Sequence, residues 1–171
     1  MGILSDLLWH LQLILPAMAA NGAPVVVLRY VKNSHPVDFN LKFLDGRRLL
    51  GDGKTWEGVT SGLVAGLVVS AIIAIFSQNA GFITLGILSS IGALIGDMAG
   101  SFVKRRINMP RGAPAPLLDQ LDFYVGALLL LYIAGVQIRL VPSIILAVVV
   151  LVLHVGTNYM AYRLGLKNVP W

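Results

Sequence analysis

The chain has 171 residues, 57% of them hydrophobic and only 12% charged, with a mean hydropathy of +0.80. Soluble domains carry about 25% charged residues, so this chain cannot clothe a water-facing surface, and its length allows about five bilayer crossings of ~20 residues plus modest loops. No cysteine is present, which excludes disulfides, thiolate nucleophiles, zinc-thiolate sites and iron–sulfur clusters, and the net charge of +5 sits in loops beside apolar runs, which favours phosphate-bearing lipids or nucleotides over nucleic acid as partners.

The expected fold is an all-α integral membrane protein, residues 1–171 forming one transmembrane domain. The first span covers about residues 7–31, in a run free of Asp, Glu, Lys and Arg up to Leu28. Asn21-Gly22-Ala23-Pro24 predicts a break in it, because Pro24 lacks a backbone donor, and a break survives in lipid only where protein or a polar cavity covers it. The uncharged run from Val59 to Ile95 reads as two spans, about 59–76 and 82–103, joined by a turn at Ser77-Gln78-Asn79-Ala80-Gly81. A fourth, short span covers about 121–136 and a fifth about 140–162, the latter with His154 and Asn158 expected to hydrogen-bond between helices.

Lysines and arginines concentrate in residues 32–58, in 104–120 and after the fifth span. The positive-inside tendency therefore predicts an outside N-terminus, a cytoplasmic C-terminus and two cytosolic basic loops in a multi-pass protein of the cell membrane.

The first loop alternates Phe39, Leu41 and Phe43 up to the turn dipeptide Asp45-Gly46, which predicts a small β-hairpin. Gly51-Asp52-Gly53-Lys54-Thr55 follows, combining pliable backbone, amide donors, an ammonium and a hydroxyl in the manner of a phosphate cradle. The same residues read equally as a tight turn with Lys54 anchored at the membrane surface.

In the second loop Asp97, Ser101 and Lys104 share one helical face, and Asp119 and Asp122 share another. Gly96 and Gly100 predict close approach of a partner helix. Three carboxylates beside Lys104, Arg105, Arg106 and Arg111 compose a magnesium–nucleotide site. Lys104, Arg105 and Arg106 alone would merely set topology, whereas an intramembrane Asp97 demands either a function or a buried pair with Lys104.

Gly96-Asp97, Ser101-Phe102-Val103-Lys104-Arg105, Pro116 and Asp119-Gln120-Leu121-Asp122 resemble the signature of CTP-dependent phosphatidate cytidylyltransferases. Ala20-Asn21-x-x-Pro24-Val25 and Asp45-Gly46-Arg47-Arg48…Gly51-Asp52-Gly53-Lys54-Thr55-Trp56-x-Gly58 are similar to the archaeal branch, the CDP-archaeol synthases. The resemblance implies transfer of CMP from CTP to an isoprenoid ether-lipid phosphate, with release of pyrophosphate and use of Mg2+. It implies Asp97, Asp119 and Asp122 as metal ligands and catalytic residues with Lys104, and Lys104 and Arg105 on phosphates. Asn21 in the predicted break would read cytosine or ribose, while Gly51, Asp52, Gly53, Lys54, Thr55, Ser101, Arg106 and Arg111 complete the nucleotide-binding candidates. Gln120 replaces the signature arginine and Arg111-Gly112-Ala113 stands where bacterial relatives carry His-Gly-Gly.

Such chemistry needs no general base, since the lipid phosphate is already an anion; it needs cations and metal to screen phosphate repulsion. A CTP-dependent lipid or polyprenol kinase would share the site, a small transporter or channel would use Asp97 and Asp122 as a polar path, and a structural membrane subunit would leave Asp97 unexplained. The sequence leaves a homodimer open.

Overall fold

The computed structural model describes residues 2–110 and 113–170, and among them the architecture is entirely helical. The helices are α1 (Ile3–Val27), α2 (Trp56–Ser77), α3 (Gly81–Arg106), α4 (Leu118–Ile133) and α5 (Leu140–Arg163). Four of them, α1, α2, α3 and α5, are long and apolar enough to cross a membrane. Helix α4, with 16 residues, reaches only about 24 Å along its axis, short of a ~30 Å hydrocarbon core.

The expected break in the first span does not occur. Helix α1 continues without interruption through Asn21 and Pro24, carrying Pro16 and Pro24 inside it. Proline removes the hydrogen bond that would have reached the carbonyl four residues earlier, and the neighbouring helix covers that position. A Cβ on Gly62 of α2 would lie 2.6 Å from the Ala20 carbonyl oxygen, the acceptor Pro24 cannot serve; Gly58 lies against Pro24 and Gly66 against the Pro16 carbonyl. Glycines at four-residue spacing thus let α2 close over the proline-bearing face of α1.

A second glycine ridge joins α3 to α4. A Cβ on Gly92 would stand 2.5 Å from the Gly126 carbonyl oxygen, one on Gly96 would stand 2.9 Å from the Asp122 carbonyl carbon, and Gly100 meets the Asp122 carboxylate. The close approach expected at Gly96 and Gly100 is therefore an approach to Asp122 itself. Around these ridges Ile14, Ala17, Ala93, Phe123, Ala127, Leu146 and Val150 form one core cluster, and Leu13, Ile73, Phe82 and Leu131 form another.

One end of the bundle gathers the start of α1, the α2–α3 turn and the approach to α5. His10, buried, accepts a hydrogen bond from the Arg139 amide at 3.0 Å, Asp6 pairs with the Arg139 side chain, and the rings of Trp9 and Phe82 meet at 5.3 Å. The two long basic loops and the segment after α5 lie at the other end, the grouping predicted from charge.

The hairpin expected in the first loop is reduced to a turn: Lys42 and Arg48 form a single antiparallel bridge, supported by Phe43 N–H to the Arg47 carbonyl at 2.7 Å and Leu49 N–H to the Leu41 carbonyl at 3.0 Å. The alternation cannot extend because Phe39 and Asn40 both take positive φ, 47° and 63°, and turn the chain before a strand can form.

Candidate active site

The first loop is organised by Asp38, a residue the sequence reading passed over. Its buried carboxylate accepts hydrogen bonds from Arg48 at 2.7 and 3.2 Å, from the Leu50 and Gly51 amides at 3.0 Å each, and from the Asn40 amide at 3.2 Å. Burial alone would oppose ionisation of Asp38; the Arg48 guanidinium and the three amides outweigh it and hold the carboxyl well below the usual carboxylate range. Asp38 also raises the proton affinity of Arg48, which reaches Asp52 at 2.8 Å. Of the cradle residues, Gly51, at φ +89°, therefore gives its amide to Asp38, and Asp52 serves Arg48. Thr55, buried, is the N-cap of α2, accepting from the Gly58 amide at 3.1 Å.

The loop is clamped to the end of α3. Arg106 lies over the rings of Phe43 and Phe102 at 4.9 and 4.7 Å, donates to the Arg48 carbonyl at 2.5 Å and approaches Asp45 at 3.3 Å. Arg47 returns a bond to the Arg106 carbonyl at 2.5 Å. Arg106 thus serves in fastening the loop.

Fastening brings Lys54 over α3 and closes a cavity of about 770 Å³, whose polar lining includes Asn21, Lys54, Asp97, Lys104, Asp119 and Asp122. Lys54 Nζ meets Asp97 Oδ2 at 2.5 Å, and Lys104 Nζ meets Asp119 Oδ1 at 2.5 Å. The alternative of a buried Asp97–Lys104 pair is thereby corrected. The two share a helical face but stand about 10 Å apart along the axis, and each finds a nearer partner across a loop or helix. Asp119 is fixed further by the Ala115 amide at 2.9 Å, just before α4, where Leu117 adopts φ +67°. Asp122 Oδ1 accepts from the Phe123 amide at 2.6 Å.

A second cavity, about 480 Å³, adjoins the first and shares Gly53, Lys54 and Lys104 with it; Ser101 and Arg105 complete its far wall. Among the described residues the Arg105 Nε is buried without a hydrogen-bond partner. Arg111 lies outside the described residues.

The family model for CarS-like CDP-archaeol synthases matches residues 3–171. The chain belongs to this family. It is 51% identical over 158 residues to a CDP-archaeol synthase of Hyperthermus butylicus, covering 92% of each chain, and 45% identical over 170 residues to one of Sulfolobus acidocaldarius, covering 99% of each. A solved structure of an intramembrane enzyme of archaeal membrane lipid biosynthesis superposes with a TM-score of 0.82 at 46% identity, covering 89% of this chain and 94% of that one. In this CDP-archaeol synthase family member, the separated sequence motifs at Asn21, at Lys54 and at Asp97 to Asp122 all converge on one cavity.

That cavity has a further wall. His154, Asn158 and Lys167 line it as well. His154 and Asn158 bond to each other within α5, Asn158 Nδ2 to His154 Nδ1 at 3.1 Å, instead of bridging helices as expected. A helical spacing of four makes that internal contact available, and the interhelical contact of His154 is a ring stack on Phe123 at 6.0 Å.

Among the described residues no three acidic or histidine groups stand in a metal-binding cluster. The donor chemistry nonetheless suits a hard cation, since three carboxylates line one cavity. Two of them hold lysine ammonium groups where a divalent ion would otherwise compensate their charge.

Proposed function

We propose that this chain transfers CMP from CTP to an archaeal ether-lipid phosphate, 2,3-bis-O-geranylgeranylglycerol 1-phosphate, yielding CDP-archaeol and pyrophosphate at the cell membrane. The observation that carries the reading is the convergence of Lys54, Asp97, Lys104, Asp119 and Asp122 on one cavity at the basic-loop end of an apolar bundle, in a member of this family. In this reading all five helices cross the bilayer, with the N-terminus outside and both basic loops in the cytosol. The loop charges support that orientation.

A non-bridging oxygen of the lipid phosphate forms a bond to the α-phosphorus of CTP while the bond to the α–β bridging oxygen breaks and pyrophosphate leaves. The nucleophile is already anionic, which accounts for a site of carboxylates and cations without a proton-abstracting residue. Lys54, Lys104 and Arg105 bind phosphate oxygens and stabilise the charge that develops on the leaving group, and Asn21 contacts the nucleoside. Asp97, Asp119 and Asp122 would hold magnesium, which when bound screens the repulsion between the two anionic reactants. On seating a phosphate, Lys54 and Lys104 would turn from Asp97 and Asp119 to its oxygens, leaving those carboxylates able to hold a metal.

The test is incubation of the purified protein with cytidine-labelled CTP, magnesium and the ether-lipid phosphate in detergent. The expected result is lipid-soluble cytidine with an equimolar yield of pyrophosphate. Absence of lipid-soluble label would overturn the proposal.

A further inference from the structure

Two adjacent stripes of α1 line the main cavity, and they face different neighbours. Asn21, Pro24 and Leu28, at spacings of three and four, form the stripe toward α2, since a Cβ on Gly58 would meet the Pro24 and Leu28 side chains at 3.5 and 3.6 Å. Met18, Gly22, Val25 and Arg29, at spacings of four, three and four, form a second stripe about a quarter-turn away. Its deep end faces α5: Met18 packs against the core cluster that joins Ile14 and Ala17 of α1 to Leu146 and Val150 of α5. Past that cluster, toward the basic-loop end, Gly22 on α1 and Leu153 and Thr157 on α5 are exposed while still lining the cavity. The cavity therefore opens sideways between α1 and α5, on an apolar flank where Val26, Val152 and Val155 are exposed.

The second stripe carries two features that the protein's own packing does not use. At Gly62, Gly66, Gly92 and Gly96 a helical glycine lets another helix approach, but among the described residues a Cβ on Gly22 would meet no neighbouring atom within 4 Å. Glycine is a poorer helix former than alanine, so Gly22 gives up helix stability for space that no protein atom fills. Gly156 is as open, but it is not among the cavity's lining residues. The other feature is Arg29. Of the cations in the cavity, Lys54 is held by Asp97, Lys104 by Asp119 and Lys167 by Asn158, whereas among the described residues the Arg29 guanidinium has no partner. The Arg29 amide donates to the Val26 carbonyl at 3.3 Å, which keeps the residue near helical register about 10 Å along the axis from Gly22, where the chain leaves its apolar span.

A lipid phosphate needs a cation at the depth of its headgroup and a path for its chains below it, and this stripe supplies both in that order. A water-soluble nucleotide gains nothing from a slot open to hydrocarbon, and it has Lys54, Lys104 and Arg105 on the loop side of the site. We infer that the face of α1 carrying Gly22 and Arg29 seats the acceptor lipid, Arg29 holding its phosphate monoester and Gly22 leaving the space through which a chain passes between α1 and α5 to the bilayer. The inference rests on the cytidylyltransferase reading and deepens it.

Arg29→Met should raise the KM for the ether-lipid phosphate about tenfold or more, the loss expected for a charge-assisted contact, and leave the KM for CTP within about twofold; Arg29→Lys should retain part of the lipid affinity. Gly22→Leu should unfold no earlier than the wild type yet raise the lipid KM severalfold. With a short-chain dialkylglycerol phosphate as acceptor, the Gly22→Leu increase should shrink and the Arg29→Met increase should persist, because only the first depends on the chains. Gly156→Leu places the same side chain in equally open space away from the cavity and should change neither KM. A rise in the CTP KM of either variant would assign the stripe to the nucleotide and overturn the inference. So would an unchanged lipid KM in Arg29→Met, early unfolding of Gly22→Leu, or a Gly22→Leu increase as large for the short-chain acceptor as for the long. Should Arg29→Met not fold, the cysteine-free chain permits Arg29→Cys: modification with an aminoethyl thiosulfonate should lower the lipid KM and a neutral ethyl reagent should not, equal behaviour of the two overturning the role of Arg29. Failure of the wild-type protein to form any CDP-lipid would overturn the underlying reading, whereas the outcomes above overturn the lipid seat alone.

Discussion

Replacing Gly96 with alanine tests whether the α3–α4 ridge positions the carboxylates. The added Cβ would run into the Asp122 carbonyl oxygen and stand 2.9 Å from its carbonyl carbon and 3.0 Å from the Gly126 Cα. Carbon pairs rest at about 3.5–4.0 Å, so the helices must separate by roughly 0.5–1 Å, and since both neighbours are backbone no side chain can rotate away. Overpacking of this kind costs about 1–3 kcal/mol. The shift falls on the turn of α4 that carries Asp119 and Asp122, and a displacement of about 1 Å in a reacting constellation lowers rate roughly 100-fold. Gly96→Ala should therefore lose turnover far beyond its loss of stability, measured as cytidylyl transfer beside thermal unfolding in the same detergent. Gly156→Ala is the control: nothing lies within 4 Å of its Cβ, and both stability and turnover should hold. Normal turnover in a folded Gly96→Ala protein would refute the argument that this contact sets the site.

Asp38→Asn should destabilise the first loop by about 2–4 kcal/mol, because Arg48 and the loop amides lose a buried anionic acceptor. The Asp38 carboxyl is depressed in the folded state, so its stabilisation is present above the ordinary carboxylate range and is lost as pH falls below it; the variant should lack that part of the acid transition in a pH series of thermal unfolding. Asp97→Asn, Asp119→Asn and Asp122→Asn should each fold yet lose at least about 100-fold in turnover, with added magnesium failing to restore it. If Asp97 serves only to neutralise Lys54, Asp97→Asn would lose thermal stability in step with activity and Lys54→Met added to it would restore that stability; the expected result is a turnover loss in Asp97→Asn far beyond any change in its thermal unfolding. For topology, a cysteine at Leu44, 95% exposed, should resist an impermeant thiol reagent applied to intact cells, whereas one at Ala80 in the α2–α3 turn should react.

The helices were legible because lipid imposes simple rules: uncharged runs between 59 and 95 and between 140 and 162 admit little else, and α2, α3 and α5 lie within a few residues of the expected spans 59–76, 82–103 and 140–162. The break at Asn21 to Pro24 was misread because one chain's local pattern cannot show that Gly62 sits against the Ala20 carbonyl. A glycine repeat at Gly58, Gly62 and Gly66 was the available signal. The carboxylates and Lys54 were legible as charge placed against apolar spans, but their pairing was not, since helical spacing alone joins Asp97 to Lys104 while the fold joins Asp97 to Lys54. Asp38 carried no signal of spacing; its role arises from two turns that close only in three dimensions. Lys167 read as a topology charge because nothing local reveals that Gly165 reverses the chain into the cavity.

The central claim is transfer of the cytidylyl group, and the position of the label in CTP tests it directly. The purified protein is incubated with the ether-lipid phosphate and CTP labelled with phosphorus-32 at either the α or the γ position, and the organic phase is counted. The account predicts label in the lipid from α-labelled CTP alone, with γ-label recovered as pyrophosphate. Label entering the lipid from the γ position would mark a kinase and contradict the account.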